Sequence, residues 1–122
     1  MAIRILNQWT DAINEGRTED VVSLYSEGAI LVSTFSPSPI NSHESISNYF
    51  INLHSRPGAG VSLDKESINE QTIEGGISIL SGMYTFYFEE NGEKIEYEAR
   101  FTFVIGAELD RPILHHHSSQ RP

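Results

Sequence analysis

"EKIEYEARFTFVI", Glu93 to Ile105, decides the fold. Ile95, Tyr97, Ala99, Phe101, Phe103 and Ile105 share one parity; Glu96, Glu98, Arg100, Thr102 and Val104 share the other. A period of two with one apolar side is the pattern of a half-buried strand. Asn91-Gly92 stands immediately before it and is a strong two-residue hairpin signal, because both residues tolerate positive φ. The strand therefore pairs antiparallel with "ISILSGMYTFYFEE" (Ile77 to Glu90), which Gly75-Gly76 separates from "VSLDKESINEQTIE" (Val61 to Glu74). A polar turn at Glu108 to Asp110 leads into "RPILHHHSSQRP". Its three histidines follow directly on Ile113-Leu114 and run into two serines, so the stretch reads as a native last strand and not as an appended tag.

Upstream of this β-rich half the period changes. Ile5, Leu6, Trp9, Ala12 and Ile13 recur at helical spacing, and Gly16 supplies the stop. Thr18 is expected to cap a second short helix with Glu19 and Asp20 in its first turn. Val21, Leu24 and Tyr25 form its inner face, and Gly28 ends it. "AILVSTF" (Ala29 to Phe35) is a short strand closed by Ser36-Pro37-Ser38-Pro39. A third helix capped near Ser42 carries Ile46, Tyr49, Phe50 and Leu53 on one side, and "RPGAG" (Arg56 to Gly60) breaks it. The order is ααβαββββ. This is an α+β layout in which helices cover one face of a curved antiparallel sheet.

The chain of 122 residues is expected to be one domain, 1–122, and is long enough for a core of its own. With no cysteine, thiolate metal sites, disulfides and cysteine nucleophiles are excluded. A net charge of -9, from 17 acids against 8 bases, argues against nucleic acid or an anionic membrane as partner. The opening "MAIRILNQWTDAINEG" reads as a helix rather than a signal peptide, which makes the cytoplasm the expected compartment.

"AINEGRTEDVVSLYSEGAILVSTFSP", "ESISNYFINL", "SGMYTF", "EARFTFV" and "HHHSSQRP", in this order, resemble the NTF2-like superfamily of cone-shaped α+β barrels. Within it the chain is similar to small SnoaL-like proteins and to the association (hub) domain of calcium/calmodulin-dependent protein kinase II. The resemblance implies a pocket between sheet and helices, and a homodimer or higher oligomer built on the outer sheet face. The hub pocket is lined by arginines from three strands. Arg100 matches one of them, Ser118 stands at the second and the region of Ser81 at the third. His54 matches the tryptophan at the pocket mouth, and Arg111 replaces the aromatic residue that usually opens the last strand.

These matches define the candidate site. With the polar parity of its strand turned to the pocket, Arg100 is a fixed cation suited to a carboxylate. The other reading is an ion pair with Glu96, Glu98 or a helix acid. The family alignment turns His116 and Ser118 into the cone, and His115 and His117 to the dimer side. His116 is then an acid–base or hydrogen-bonding group, or else a semi-buried histidine satisfied by its neighbours. Tyr84, Tyr49, His54 and Trp9 are candidate pocket walls, with core packing as the alternative for each. His115 and His117 stand two apart on one face, but the chain offers no third ligand, so no metal centre and no cofactor are expected. Three functions follow. The first is a homo-oligomeric protein holding a small, anionic organic ligand. The second is a SnoaL- or ketosteroid-isomerase-like enzyme acting on a small carbonyl compound. The third is an assembly module without a ligand.

Overall fold

The computed structural model describes Ala2 to Pro122. Helix α1 (Ala2–Asn14) buries Ile5, Leu6, Trp9, Ala12 and Ile13, the stripe set by the helical spacing of its apolar residues. Helix α2 (Thr18–Ser23) is short, and strand β1 (Tyr25–Val32) begins two residues after it. Helix α3 (His43–His54) opens on a capping box: Ser42 accepts from the Ser45 amide and the Ser45 side chain answers to the Ser42 amide. Strands β2 (Gly60–Ile73), β3 (Ile77–Glu90), β4 (Glu93–Gly106) and β5 (Ile113–Gln120) complete the chain.

The sheet order is β1-β5-β4-β3-β2. β2 to β5 form the antiparallel meander, and the return through α3 lays β1 parallel to β5. The hairpin at Asn91-Gly92 has φ of 54° and 80° at the two turn positions, the left-handed pair that a primed turn requires. Leu80, Tyr84, Phe86 and Phe88 of β3 face the helices together with Ala99, Phe101, Phe103 and Ile105 of β4. Asn14 ties α1 to β2 by two bonds to one residue, accepting from the Val61 amide (2.7 Å) and donating to its carbonyl (3.0 Å).

Two expectations fail near the first turn. Helix α2 ends at Ser23, not Gly28, and Tyr25 opens the first strand with its ring fully buried. The parallel pairing of Tyr25 with Ile113 begins the strand there, so tertiary pairing overrides the helical spacing of Val21, Leu24 and Tyr25. Nor does Thr18 cap α2. Arg17 occupies the cap position without a side-chain bond, and the Thr18 hydroxyl is engaged by His54 instead. Among the described residues, no helix is long and apolar enough to cross a membrane.

Candidate functional site

The interior polar cluster is assembled from four elements around His116. α1 contributes Trp9, β1 Tyr25, β3 Tyr84, and β5 His116 and Ser118. His116 is 2% exposed and stacks on Phe103 of β4, the ring centroids 3.9 Å apart and the planes 16° from parallel. Its Nδ1 lies 2.8 Å from the Tyr25 hydroxyl and its Nε2 lies 2.9 Å from the Tyr84 hydroxyl. The Trp9 indole donates to the Tyr25 oxygen at 3.0 Å, and Trp9 packs in turn against Tyr84, Phe86 and Phe103.

Counting donors assigns the protons. An indole N–H only donates, so the Tyr25 oxygen accepts from Trp9 and its hydroxyl proton is free to go to Nδ1 of His116. The neutral ring then carries its own proton on Nε2 and donates it to Tyr84. Two residues further along β5, the Ser118 hydroxyl shares a hydrogen bond with Thr34 at 2.7 Å. The opposite tautomer would leave the Tyr25 proton without an acceptor among these groups. Burial sets the charge states as well. It pushes His116 well below the usual imidazole range, the neighbouring His115 and His117 adding to the effect. It also raises both tyrosine hydroxyls, a shift that Trp9 opposes at Tyr25 and Ser118 at Tyr84. The His116 ring is therefore held neutral, with both nitrogens engaged inside the core.

A separate opening lies at the mouth of the cone. Phe35, Tyr49, Asn52, Leu53 and Arg56 line a cavity of ≈ 130 Å³. The Arg56 guanidinium lies over Phe88 at 4.5 Å and Phe35 at 5.7 Å, and it makes no ion pair among the described residues. Burial pushes the Tyr49 hydroxyl up to about 12, against the opposing effects of Ser33 and Arg56.

The sequence-derived residues thus divide. Trp9, Tyr84, His116 and Ser118 lie buried together in the interior and do not line the cavity beside Arg56. Tyr49 stands at the mouth. Arg100 does not belong to the site: it is exposed on the outer face of β4, between Met83 and Ser119. The apolar parity of its strand fills the cone, so the polar parity has to face outward. His54 is not a pocket wall either. Its Nδ1 contacts the Thr18 hydroxyl and its Nε2 the Ile13 carbonyl at 3.0 Å, so both nitrogens serve to lock α3 onto α1 and α2. Sequence reasoning missed Tyr25, Thr34 and Arg56. Arg56 carried a signal, as a lone base in the segment that breaks α3.

A helix layer against a strongly curved, mostly antiparallel five-stranded sheet defines an NTF2-like cone fold. The chain belongs to the calcium/calmodulin dependent protein kinase II association domain family, whose model matches residues 2–122. It is similar to a solved structure described as such an association domain from Xanthomonas campestris, with 27% identity, a TM-score of 0.87, and 99% of this chain and 86% of that one covered. A ketosteroid isomerase-like protein from Erwinia carotovora atroseptica shares the fold at 10% identity and a TM-score of 0.79, over 98% of this chain and 92% of that one. So does an NTF-2 like protein of unknown function from Shewanella oneidensis, at 18% identity and 0.71, over 97% and 95%. No curated protein matches the chain.

Proposed function

We propose that this protein is a self-associating module that dimerises through the outer face of its sheet. The observation that carries this reading is the distribution of charge on that face. Gln71, Ile79, Val104, His115 and Ile30 form one row across the five strands, and Asn69, Ser81, Thr102, His117 and Val32 form the next. Neither row contains an acid, in a chain of net charge -9 that would otherwise repel its own copies. Ile30 is 40% exposed at the β1 end of the first row, an acid-free strip in which His115 stands between it and the adjacent Val104 and Ile79. The family's association domains support the same reading. Ile30→Glu places an acid in this strip and is expected to shift the protein to monomer, with at least a tenfold weaker dimer by sedimentation velocity and an unchanged circular dichroism spectrum. A parent that is monomeric at high concentration would sink the proposal.

A second reading rests on Arg56. An unpaired guanidinium at an aromatic opening of ≈ 130 Å³ suits a small organic anion of a few heavy atoms, not a drug-sized ligand. The isomerase-type alternative needs a carboxylate base inside the cone. Among the described residues, the buried polar side chains are Ser33, His116 and Ser118, which favours binding over catalysis. Titration with short carboxylates should give saturable binding that weakens at least tenfold in Arg56→Ala, the loss of one charge-assisted contact. Equal binding by parent and variant would remove the mouth from consideration.

A further inference from the structure

We propose that His115 and His117 form half of a transition-metal site that a second copy of the chain completes. The inference rests on outer-face dimerisation and goes beyond it by assigning chemistry to the interface.

His115 and His117 stand two apart on β5, on the face opposite His116. Neither ring hydrogen-bonds to another described residue, whereas His116 uses both its nitrogens. Residues two apart on a strand lie about 6.6 Å from each other, with side chains roughly perpendicular to the sheet. Two imidazoles at that spacing can lean onto one ion with N–metal distances of about 2.0–2.1 Å. Across the sheet their neighbours are Val104 and Ile30 for His115, and Thr102 and Val32 for His117. None of these is a ligand for a borderline metal, and no group of three or more ligating side chains occurs among the described residues.

One chain therefore supplies two ligands, half of what a closed tetrahedral site uses. An isologous twofold supplies the rest by repetition, because the same patch of both copies meets across the axis. An axis passing over β5 between the two histidines brings four neutral imidazoles to one ion. The nearby cation on this face is Arg100, opposite Ser119 in the next row. Its repulsion is local, while the net charge of -9 on each chain makes the overall field attractive to a divalent cation. Imidazole-only coordination selects zinc, nickel or copper over magnesium or calcium.

The test uses untagged protein stripped with a chelator, titrated with Zn²⁺ against a chromophoric competitor and followed by sedimentation velocity. The expected result is one ion per two chains, with dimerisation tightened at least tenfold. His115→Gln/His117→Gln should lose at least 100-fold in zinc affinity while dimerising like the metal-free parent. Ile30→Glu keeps both histidines and should lose most of the affinity because its chains stay apart. Thermal melting without metal checks that both variants are folded. One ion per chain, or affinity unchanged in the double variant, overturns the shared site. A parent that dimerises through the outer face without binding zinc overturns the site and leaves the interface standing. A stripped parent that stays monomeric removes the metal-free interface. Zinc-driven dimers that vanish in the double variant would in that case still uphold the metal site.

Discussion

Replacing His116 by alanine is expected to destabilise the fold by about 4 kcal/mol, one of the largest effects of any single substitution in this chain. Three losses combine. The stacked contact with Phe103 disappears and leaves a cavity in the core. The Tyr25 proton loses its acceptor and the Tyr84 oxygen loses its donor, and each stranded buried group costs roughly 1–3 kcal/mol. Water entering the cavity recovers part of that. Urea unfolding of parent and variant measures the difference, with a fall in Tm of roughly 10–20 °C accompanying it. Tyr84→Phe, which keeps the ring and removes one hydroxyl, should cost about 1–2 kcal/mol. A loss below about 1 kcal/mol for His116→Ala would show that the cluster is not packed as described.

Acidification is the second large effect, and its direction follows from the same residue. Burial holds His116 well below its ordinary value in the folded protein, while the unfolded chain titrates near 6.5. Above that value neither state carries the proton, and the full stability is present. As the pH falls below about 6.5 the unfolded state gains a proton that the folded state refuses, so stability declines with a limiting slope of about 1.4 kcal/mol per pH unit. The decline ends only below the folded-state value. Between pH 6.5 and 5 the contribution of His116 amounts to as much as about 2 kcal/mol. His116→Gln removes the titration and retains a side chain that both donates and accepts. The difference in urea midpoint between parent and variant should narrow steadily over this range. Parallel pH profiles would mean that the ring accepts its proton in place.

Much of the fold was legible because it is written in short-range periodicity. The Asn91-Gly92 turn and the two-residue alternation of Ile95 to Ile105 fix the hairpin and the buried face without outside help. Tyr25 shows where that kind of reading stops. Its spacing from Val21 is helical, but its partners are Ile113 and His116, about ninety residues away, and only the folded chain brings them together. Arg100 shows a different limit. Its own strand already contained the answer, since an apolar parity of six residues must be the inward one, yet the family match to a pocket arginine pointed the other way. His54 looked like a mouth residue by position, whereas its two bonds reach Thr18 and Ile13 on other helices. Arg56 stood out in sequence only as a base in a helix-breaking segment, and its setting came from the Phe35 and Phe88 rings beneath it.

The indole of Trp9 has a reach far beyond its own contact. It is the one group in the cluster that can give a proton but never take one, so the Tyr25 hydroxyl and the imidazole after it are oriented in sequence. Tyr25 and His116 then point the same way, like valves in series that end on the Tyr84 oxygen. A tryptophan buried on α1 thus decides which imidazole nitrogen carries the proton on β5.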